Sequence, residues 1–481
     1  MASIDRLSDL PDEILSHILS FLPIKTSVST STLAARWRFV WAYSPNIQIV
    51  ERSMSFFAYR DVLRSILPQC EAHSVITLRI IGDIFFDCEL EMFLESAFAC
   101  KTKTLEITQT HDYCDLPPCV LTSQTLVDLK LSRFFVKMKD VTVCLPALER
   151  LHIKTTRLDD GSLENLISGC PVLEEFTYID CYECVDSHCI SSSTMKKLVL
   201  EPHFRNKLKI DTPALEYLLI HYSIPQKLSF GPMDSLIGAH IVVRDDTLTM
   251  NGDLYSLVEF LGRFSNVKEM SLCPWSWGVK AKVHDLTSVD LNIKFHNLAK
   301  LTVEGDWRII SYFVEKANKL EVLNVTQYSE WEMEETPQLP LANSIMKLHN
   351  LIKLELQVDW WFLTLFLDKA DKLKVLIIRN NDYRKQKRKR WLAAPLQVPN
   401  CLSSHLKILQ IHELHGTDEH ELDMVRYLLK NALVLERMDL YCHEGMERHC
   451  IAESIGRISS FDRGSEKCEI VLTEYLGSDN D

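Results

Sequence analysis

Residues 148–178 read LERLHIKTTRLDDGSLENLISGCPVLEEFTY. A six-residue unit, apolar-x-x-apolar-x-apolar, stands at each end: Leu148, Leu151 and Ile153, then Leu173, Phe176 and Tyr178. The last two apolar residues of a unit, separated by one, suit a short strand with alternate side chains turned inward, and the first packs from the turn leading into it. Between the units, Asp159 and Asp160 are placed to cap a short helix containing Leu163, Leu166 and Ile167, which Gly169 ends before Cys170-Pro171. Strand, return segment and strand make one step of a stacked array.

The same unit returns with first positions at 75, 102, 126, 148, 173, 195, 215, 236, 267, 298, 320, 351, 373, 406 and 435, in steps of 20 to 33 residues. A chain that is 46% apolar meets such a pattern often by chance. The steps, however, stay within the spacing of leucine-rich repeats. Thirteen of the fifteen units also carry Asp, Glu, Lys or Arg at one of the two positions between the first apolar pair, as in Leu320-Glu321-Val322-Leu323. Polar residues there face solvent, and each unit buries its apolar face only against its neighbours. The fold class is therefore α/β, an irregular solenoid with a parallel sheet on one face.

Composition narrows the function. The net charge of -13 disfavours a general nucleic-acid or anionic-membrane binder, which needs excess Lys and Arg to displace counterions. No apolar run reaches 18 residues, so no membrane span is expected. Fifteen cysteines lie scattered in 481 residues and read as reduced thiols. The first residues lack the order of a signal peptide, which leaves nucleus or cytoplasm as the expected location. Neither GxGxxG nor GxxxxGK[ST] nor GxSxG spacing occurs, so no nucleotide-binding or hydrolase chemistry is organised locally.

The first fifty residues are of a different kind. Leu10, Ile14, Ile18 and Phe21, flanked by Leu15, Leu19 and Leu22, recur at three- and four-residue steps and give a wide apolar face on one helix, with Pro11, Asp12 and Glu13 in its first turn and Pro23 stopping it. A second helix is predicted from about Ser27 to Leu33, and a third from about Ala35 into Val40 and Trp41. Such a unit is near the lower size limit for independent folding. Either it caps its own solenoid, or it presents Leu10, Pro11, Ile14, Leu15, Ile18 and Leu22 to another protein.

The run DRLSDLPDEILSHILSFLPIKTSVSTSTLAARWRFVW, Asp5 to Trp41, resembles a plant F-box: the Leu10-Pro11-Asp12-Glu13 helix start, the Phe21-Leu22-Pro23 turn, and the closing Arg36-Trp37-Arg38 with Trp41. Departures stand at Thr26, Ala34 and Ala35. Segments such as Ser168 to Phe176 and Phe295 to Val303 resemble the repeats that follow plant F-boxes. Val398 to Leu402, Leu406-Lys407, Tyr427 to Ala432 and Leu435 to Met438 resemble the FBD domain. The resemblance implies an F-box over 1–50, leucine-rich repeats over 51–394 and an FBD-type cap over 395–481, whose last two strands around a helix from about Glu419 to Asn431 would close the solenoid's end.

It implies further that Leu10, Pro11, Ile14, Leu15, Ile18, Leu22, Pro23 and Trp37 bind a Skp-type adaptor, and through it a cullin, while the repeats bind an unknown protein target. No catalysis, cofactor, membrane or nucleic-acid partner is implied. The alternative is a leucine-rich-repeat interaction scaffold that recruits no ligase.

Other motifs carry competing readings. Cys181, Cys184, His188 and Cys189 have spacing compatible with zinc, against an unmetallated loop near a strand end. His412, His415 and His420 around Glu413 and Glu419 match no HExxH site and read as loop histidines. The basic run 384–390 is either a nuclear localisation signal, an anion-binding patch, or a solvated spacer. Trp360, Trp361 and Phe362, with Trp391, read as core or as the lining of a binding face, with core the favoured reading.

Overall fold

The structure is a computed structural model. It describes residues 7–50, 75–82, 88–99, 101–137, 141–159, 161–181, 187–202, 207–223, 228–244, 260–274, 294–304, 307–326, 348–357, 360–379, 397–414, 416, 419–443, 446 and 448–473. The chain divides into two units, Met1–Leu236 and Ile237–Asp481.

The first unit opens with the helices α1, Asp12–Leu19, and α2, Ile24–Ser29. Its main sheet then follows as Asn46–Val50, Thr77–Ile81, Thr104–Thr108, Asp128–Ser132, Arg150–Lys154, Glu175–Cys181, Lys197–Pro202 and Tyr217–Ser223, each strand parallel to the one before. The second unit repeats the scheme in Gly238–Arg244, Glu269–Pro274, Lys300–Glu304, Val322–Thr326, Lys353–Gln357, Val375–Arg379, Ile408–Leu414, Arg437–Cys442 and Glu469–Thr473. Parallel neighbours with no hairpins mean that the chain crosses back once per strand, which is how a solenoid grows.

The six-residue unit sets the register. In every one of the fifteen units its three inward positions are buried; Leu148, Leu151 and Ile153 are 0%, 0% and 1% exposed. Stacked strands align like positions, so Leu129, Leu151 and Phe176 form one row of the core and Leu131, Ile153 and Tyr178 the next. The seventh residue after the start of a unit turns the chain out of the sheet in a left-handed conformation at Arg133, Thr155, Asp180 and Glu413, with φ of 65, 49, 51 and 59°. None of these is glycine; each keeps the conformation because its neighbours in the ladder hold it, as when the Arg133 amide donates to the Lys154 carbonyl and the Thr155 amide to Ile179.

The return segments differ between the units. In the second, the described residues include the return helices Trp307–Lys316, Trp360–Lys369, Glu419–Asn431 and Arg448–Ser459. In the first, Cys88–Ala99 and Ser162–Ser168 are helical, and several stretches of the returns are extended. Cys114–Asp115, Phe134–Val136 and Arg157–Leu158 form one small parallel sheet, and Ser187–Ser191, Lys207–Asp211 and Leu228–Phe230 another.

Four expectations are corrected. The array begins one strand before Val75, at Asn46–Val50, inside the range read as F-box. The helix predicted over 162–168 is present, but Gly161 and not the aspartates holds its N-terminal cap, and Gly169 stays right-handed at φ -76°. Its missing Cβ matters through packing, since one would lie 2.6 Å from Val143. The third N-terminal helix is a pair of 3-10 turns, Ala35–Arg38 and Val40–Tyr43. Finally, the C-terminal region carries a third strand beyond the two expected, Glu469–Thr473, whose far edge has no partner among the described residues.

Candidate docking face at the N-terminal helices

Pro11 directly precedes α1 and Pro23 directly precedes α2. Each proline supplies a carbonyl to the first turn, with Pro11 accepting from Ile14 and Leu15 at 3.1 Å and Pro23 from Thr26 at 2.9 Å. The Ser27 hydroxyl donates to the Leu19 carbonyl at 2.9 Å and fixes the second helix against the end of the first. Asp12 and Glu13 sit in the first turn of α1, where the helix dipole favours carboxylates.

The Arg36-Trp37-Arg38 motif acts as a clamp on the residues before α1. The Arg36 guanidinium reaches the Ser8 and Leu10 carbonyls and pairs with Asp12 at 3.0 Å. The Trp37 indole N–H donates to the Ser8 hydroxyl at 2.9 Å, and that of Trp41 to the Arg38 carbonyl at 3.1 Å. Behind the clamp, Leu15, Leu19, Ile24, Trp37, Val40 and Trp41 form a small closed core. On the inner side α1 packs on the Val40–Tyr43 turn and α2 on the strand Asn46–Val50.

The outer side is left apolar. Ile14 is 47% exposed, Ile18 36%, Leu22 36% and Phe21 74%. Pro11 and Pro23 are exposed beside them, and Leu10 is half-buried. Leu15 and Trp37, expected on the docking face, lie in the interior at 0% and 4%, where they support the face without forming it. The helical period explains Leu15: it shares a stripe with Leu19, which turns inward, while Ile14 and Ile18 share the neighbouring one, about 100° round the helix. Leu33 and Phe39, exposed on either side of the Arg36-Trp37 clamp, were not singled out from sequence. Both fall outside the α1 period that drew the eye.

The remaining candidates disperse. Cys181 ends a strand of the main sheet, with its thiol 3.1 Å from the Ile179 carbonyl, while the Cys189 amide donates to Glu164 at 2.7 Å from the smaller sheet. Cys184 lies outside the described residues, among which no group of three or more His, Cys, Asp or Glu is arranged to hold a metal. Burial pushes the Cys114, Cys119 and Cys273 thiols up to about 11 and those of Cys170 and Cys401 up to about 12, so these five are protonated at neutral pH and poor nucleophiles. His412 stacks on Tyr441 at 4.3 Å on the main sheet, and His420 belongs to the helix Glu419–Asn431. The basic run 384–390, Trp391 and His415 lie outside the described residues, as do the side chains of Trp360, Trp361 and Phe362. No helix among the described residues is long and apolar enough to cross a membrane.

Comparison with known proteins gives each region a counterpart. The family model of the F-box domain matches residues 7–48, that of the leucine-rich repeats of FBD-associated F-box protein At5g56370 matches 90–236, and that of FBD matches 394–440. An F-box/LRR-repeat protein of Arabidopsis thaliana, At4g14103, is 29% identical over 366 residues, covering 66% of this chain and 91% of its own length. Another, At3g59250, is 27% identical and spans 98% of both chains. The F-box/FBD/LRR-repeat protein At5g56420 of the same plant is 24% identical over 97% of this chain and 99% of its own.

A clamped N-terminal helix pair with an apolar outer face, leading straight into a leucine-rich solenoid, defines an F-box protein. With its FBD region, the chain has the domain order of the F-box/FBD/LRR-repeat proteins of Arabidopsis thaliana that it is similar to.

Proposed function

We propose that this chain is the substrate-recognition subunit of an SCF-type ubiquitin ligase, acting in the nucleus or cytoplasm. The outer face of α1 and α2 docks on a Skp-type adaptor, which connects it to a cullin, and the repeats hold a target protein. The chain performs no chemistry of its own. It raises the target's effective concentration beside the loaded conjugating enzyme, where the thioester is consumed.

The observation that carries this reading is the uncovered row Ile14, Ile18, Phe21 and Leu22 on a segment whose other side is already packed. Apolar side chains held outward by a polar clamp are a surface prepared for a partner. The test is capture of a Skp-type adaptor by the full chain and by Ile14→Ala/Ile18→Ala. Both side chains are exposed, so the variant keeps its stability within about 0.5 kcal/mol while adaptor binding falls about tenfold or more. Undiminished capture by the variant would overturn the docking assignment.

A second reading, a scaffold that recruits no ligase, draws on the packing of α2 against the first strand of the sheet, Asn46–Val50. The N-terminal segment then serves to cover the end of the array. Removing residues 1–45 decides between them: exposure of the first strand with aggregation, in a full chain that captures no adaptor, favours the scaffold.

A further inference from the structure

The outward face of the first unit's main sheet carries five cations within its strands: Arg79, Lys130, Arg150, Lys154 and Lys197. Three are neutralised by a carboxylate on the adjacent strand. Arg79 pairs with Glu106 at 3.0 Å, Arg150 with Asp128 at 3.1 Å and Lys197 with Glu175 at 3.5 Å. Lys130 and Lys154 are exposed and form no ion pair among the described residues. The strands are in register, Lys130 beside His152 and Ser132 beside Lys154, so the two ammonium groups stem from the same face of neighbouring strands. Strand spacing and rise place their Cα atoms about 8 Å apart.

Two guanidiniums follow at once in sequence. Arg133 succeeds Ser132 in the left-handed conformation, and its amide donates to the Lys154 carbonyl. Its side chain turns back to donate to the Thr110 carbonyl at 2.7 Å, which leaves the charge intact. Arg157, three residues beyond Lys154, lies over the Tyr113 ring at 4.7 Å and the Phe135 ring at 5.5 Å. The two rings pack at 5.2 Å. Stacking holds a guanidinium flat and keeps its N–H edge available for a carboxylate.

The carboxylates nearby do not cancel these charges. Asp128 is engaged by Arg150 and Asp115 by Lys137, and neither Asp112 nor Asp159 pairs with any of the four cations. Beneath Lys130 and Lys154, His152 is held below its usual range, by burial first, with Lys130 and Lys197 pushing the same way and Asp128 and Glu175 opposing. In a chain of net charge -13, four cations unpaired among the described residues, on and just beyond two adjacent strands, are a local reversal of sign. Such a reversal attracts and orients an anionic partner.

We propose that Lys130, Arg133, Lys154 and Arg157 form the place where the first unit receives a carboxylate-rich, extended segment of the target protein. The inference rests on the reading that the repeats bind a target, and it assigns that contact a position and a charge. An extended chain laid across the two strands brings alternate carboxylates to one side, within reach of the two lysines, while the rim arginines donate bidentately to the next pair. The half-buried Tyr113 and Phe135 give the segment a rigid floor.

The probe is a short labelled peptide of alternating Glu and Ser, titrated into the full chain beside its counterpart with Gln for Glu. The Glu peptide is expected to bind, to weaken steeply with salt, and to lose about tenfold in affinity for Lys130→Ala/Lys154→Ala, since two lost ion contacts sum to about that factor. Lys353→Ala, an exposed-face change in the other unit, leaves binding unaltered. Equal binding of the Gln peptide, equal affinity of the double variant, or preference for a phosphoserine peptide that the Glu peptide does not share would each overturn the proposal. Self-association of the chain that the double variant abolishes, without any peptide binding, would reassign the patch to a second copy.

Adaptor capture separates this result from the ligase reading. Peptide binding without adaptor capture keeps the patch and removes the ligase; adaptor capture without peptide binding does the reverse. A double variant that has lost both, while Lys353→Ala retains both, would also reject a role confined to this face.

Discussion

Thr102 occupies a position that the other units fill with Val, Leu or Met, and it is 0% exposed. Its methyl group takes the place of an apolar branch, and its hydroxyl lies 2.9 Å from both the Val75 and the Ala97 carbonyls. The turn through Lys101, at φ 78°, brings Thr102 back to the Ala97 carbonyl. Thr102→Val keeps the shape and removes the donor, so it should cost about 1–2 kcal/mol in urea unfolding; an unchanged midpoint would mean that the carbonyls are served otherwise. Hydroxyls recur in this role: Thr125 donates to Thr102, Thr194 to Leu173 and Ser465 to Leu435, at 2.8, 2.9 and 2.7 Å. Pattern reading cannot see them, because it scores Thr102 by its position alone while the partners are set by how the preceding turn bends. The same blindness hid two strands. Their leading slots hold Ser44, whose hydroxyl donates to the Asn46 carbonyl, and the exposed Lys467, so neither begins with an apolar residue.

Where an element has a strong period, it was legible. The six-residue unit located most strands of both sheets because parallel neighbours must bury the same three positions in every turn. The apolar residues of α1 followed from the helical repeat as one wide face, though which edge of it turns inward, Leu15–Leu19 and not Ile14–Ile18, depends on the clamp and is not in the period. The closing 3-10 turns read as one helix because Trp37 and Trp41 stand four apart; extended Ala34, at φ -160°, and Phe39, at φ -125°, interrupt the path. Strands of two residues, such as Cys114–Asp115, carry no period at all. Near the C-terminus, an element boundary depends on one glycine. Gly416, at φ 65°, follows the strand Ile408–Leu414, and its amide donates to the buried Glu421 carboxylate at 2.7 Å. A Cβ there would lie 2.0 Å from the Ser454 hydroxyl oxygen on the helix Arg448–Ser459. Gly416→Ala must therefore bear both the left-handed strain and the displacement of that helix, about 2–4 kcal/mol together. Thermal unfolding measures it, and a loss under about 0.5 kcal/mol would show that the loop relaxes freely.

Across the whole molecule the exposed sheet faces carry half-buried histidines, among them His152 in the first unit and His240 and His412 in the second. All three are held below the usual 6.5, and burial is the leading cause in each. Asp128 and Glu175 oppose it at His152, Glu304 at His240, and Glu355 with Asp439 at His412, whereas Arg379 adds to it at His412. A stacked array gives every strand two neighbours, so a histidine within it loses water on both sides whatever its own sequence context. The sign follows from proton counting. Below pH 6.5 the unfolded chain protonates these rings while the folded one resists, so the folded state binds fewer protons and stability falls as pH drops through that value toward the lower folded ones. Above it all three are neutral in both states and contribute no slope. The midpoint of urea unfolding should thus decline between about pH 7 and pH 5.5, and replacing the three residues by Gln should flatten that decline. A variant as acid-sensitive as the parent chain would place the titrating groups elsewhere. Because the three rings lie on the sheet faces and the proposed docking row on α1, mild acid is expected to loosen the repeats first, so the proposed target binding should fail at a higher pH than the proposed adaptor capture.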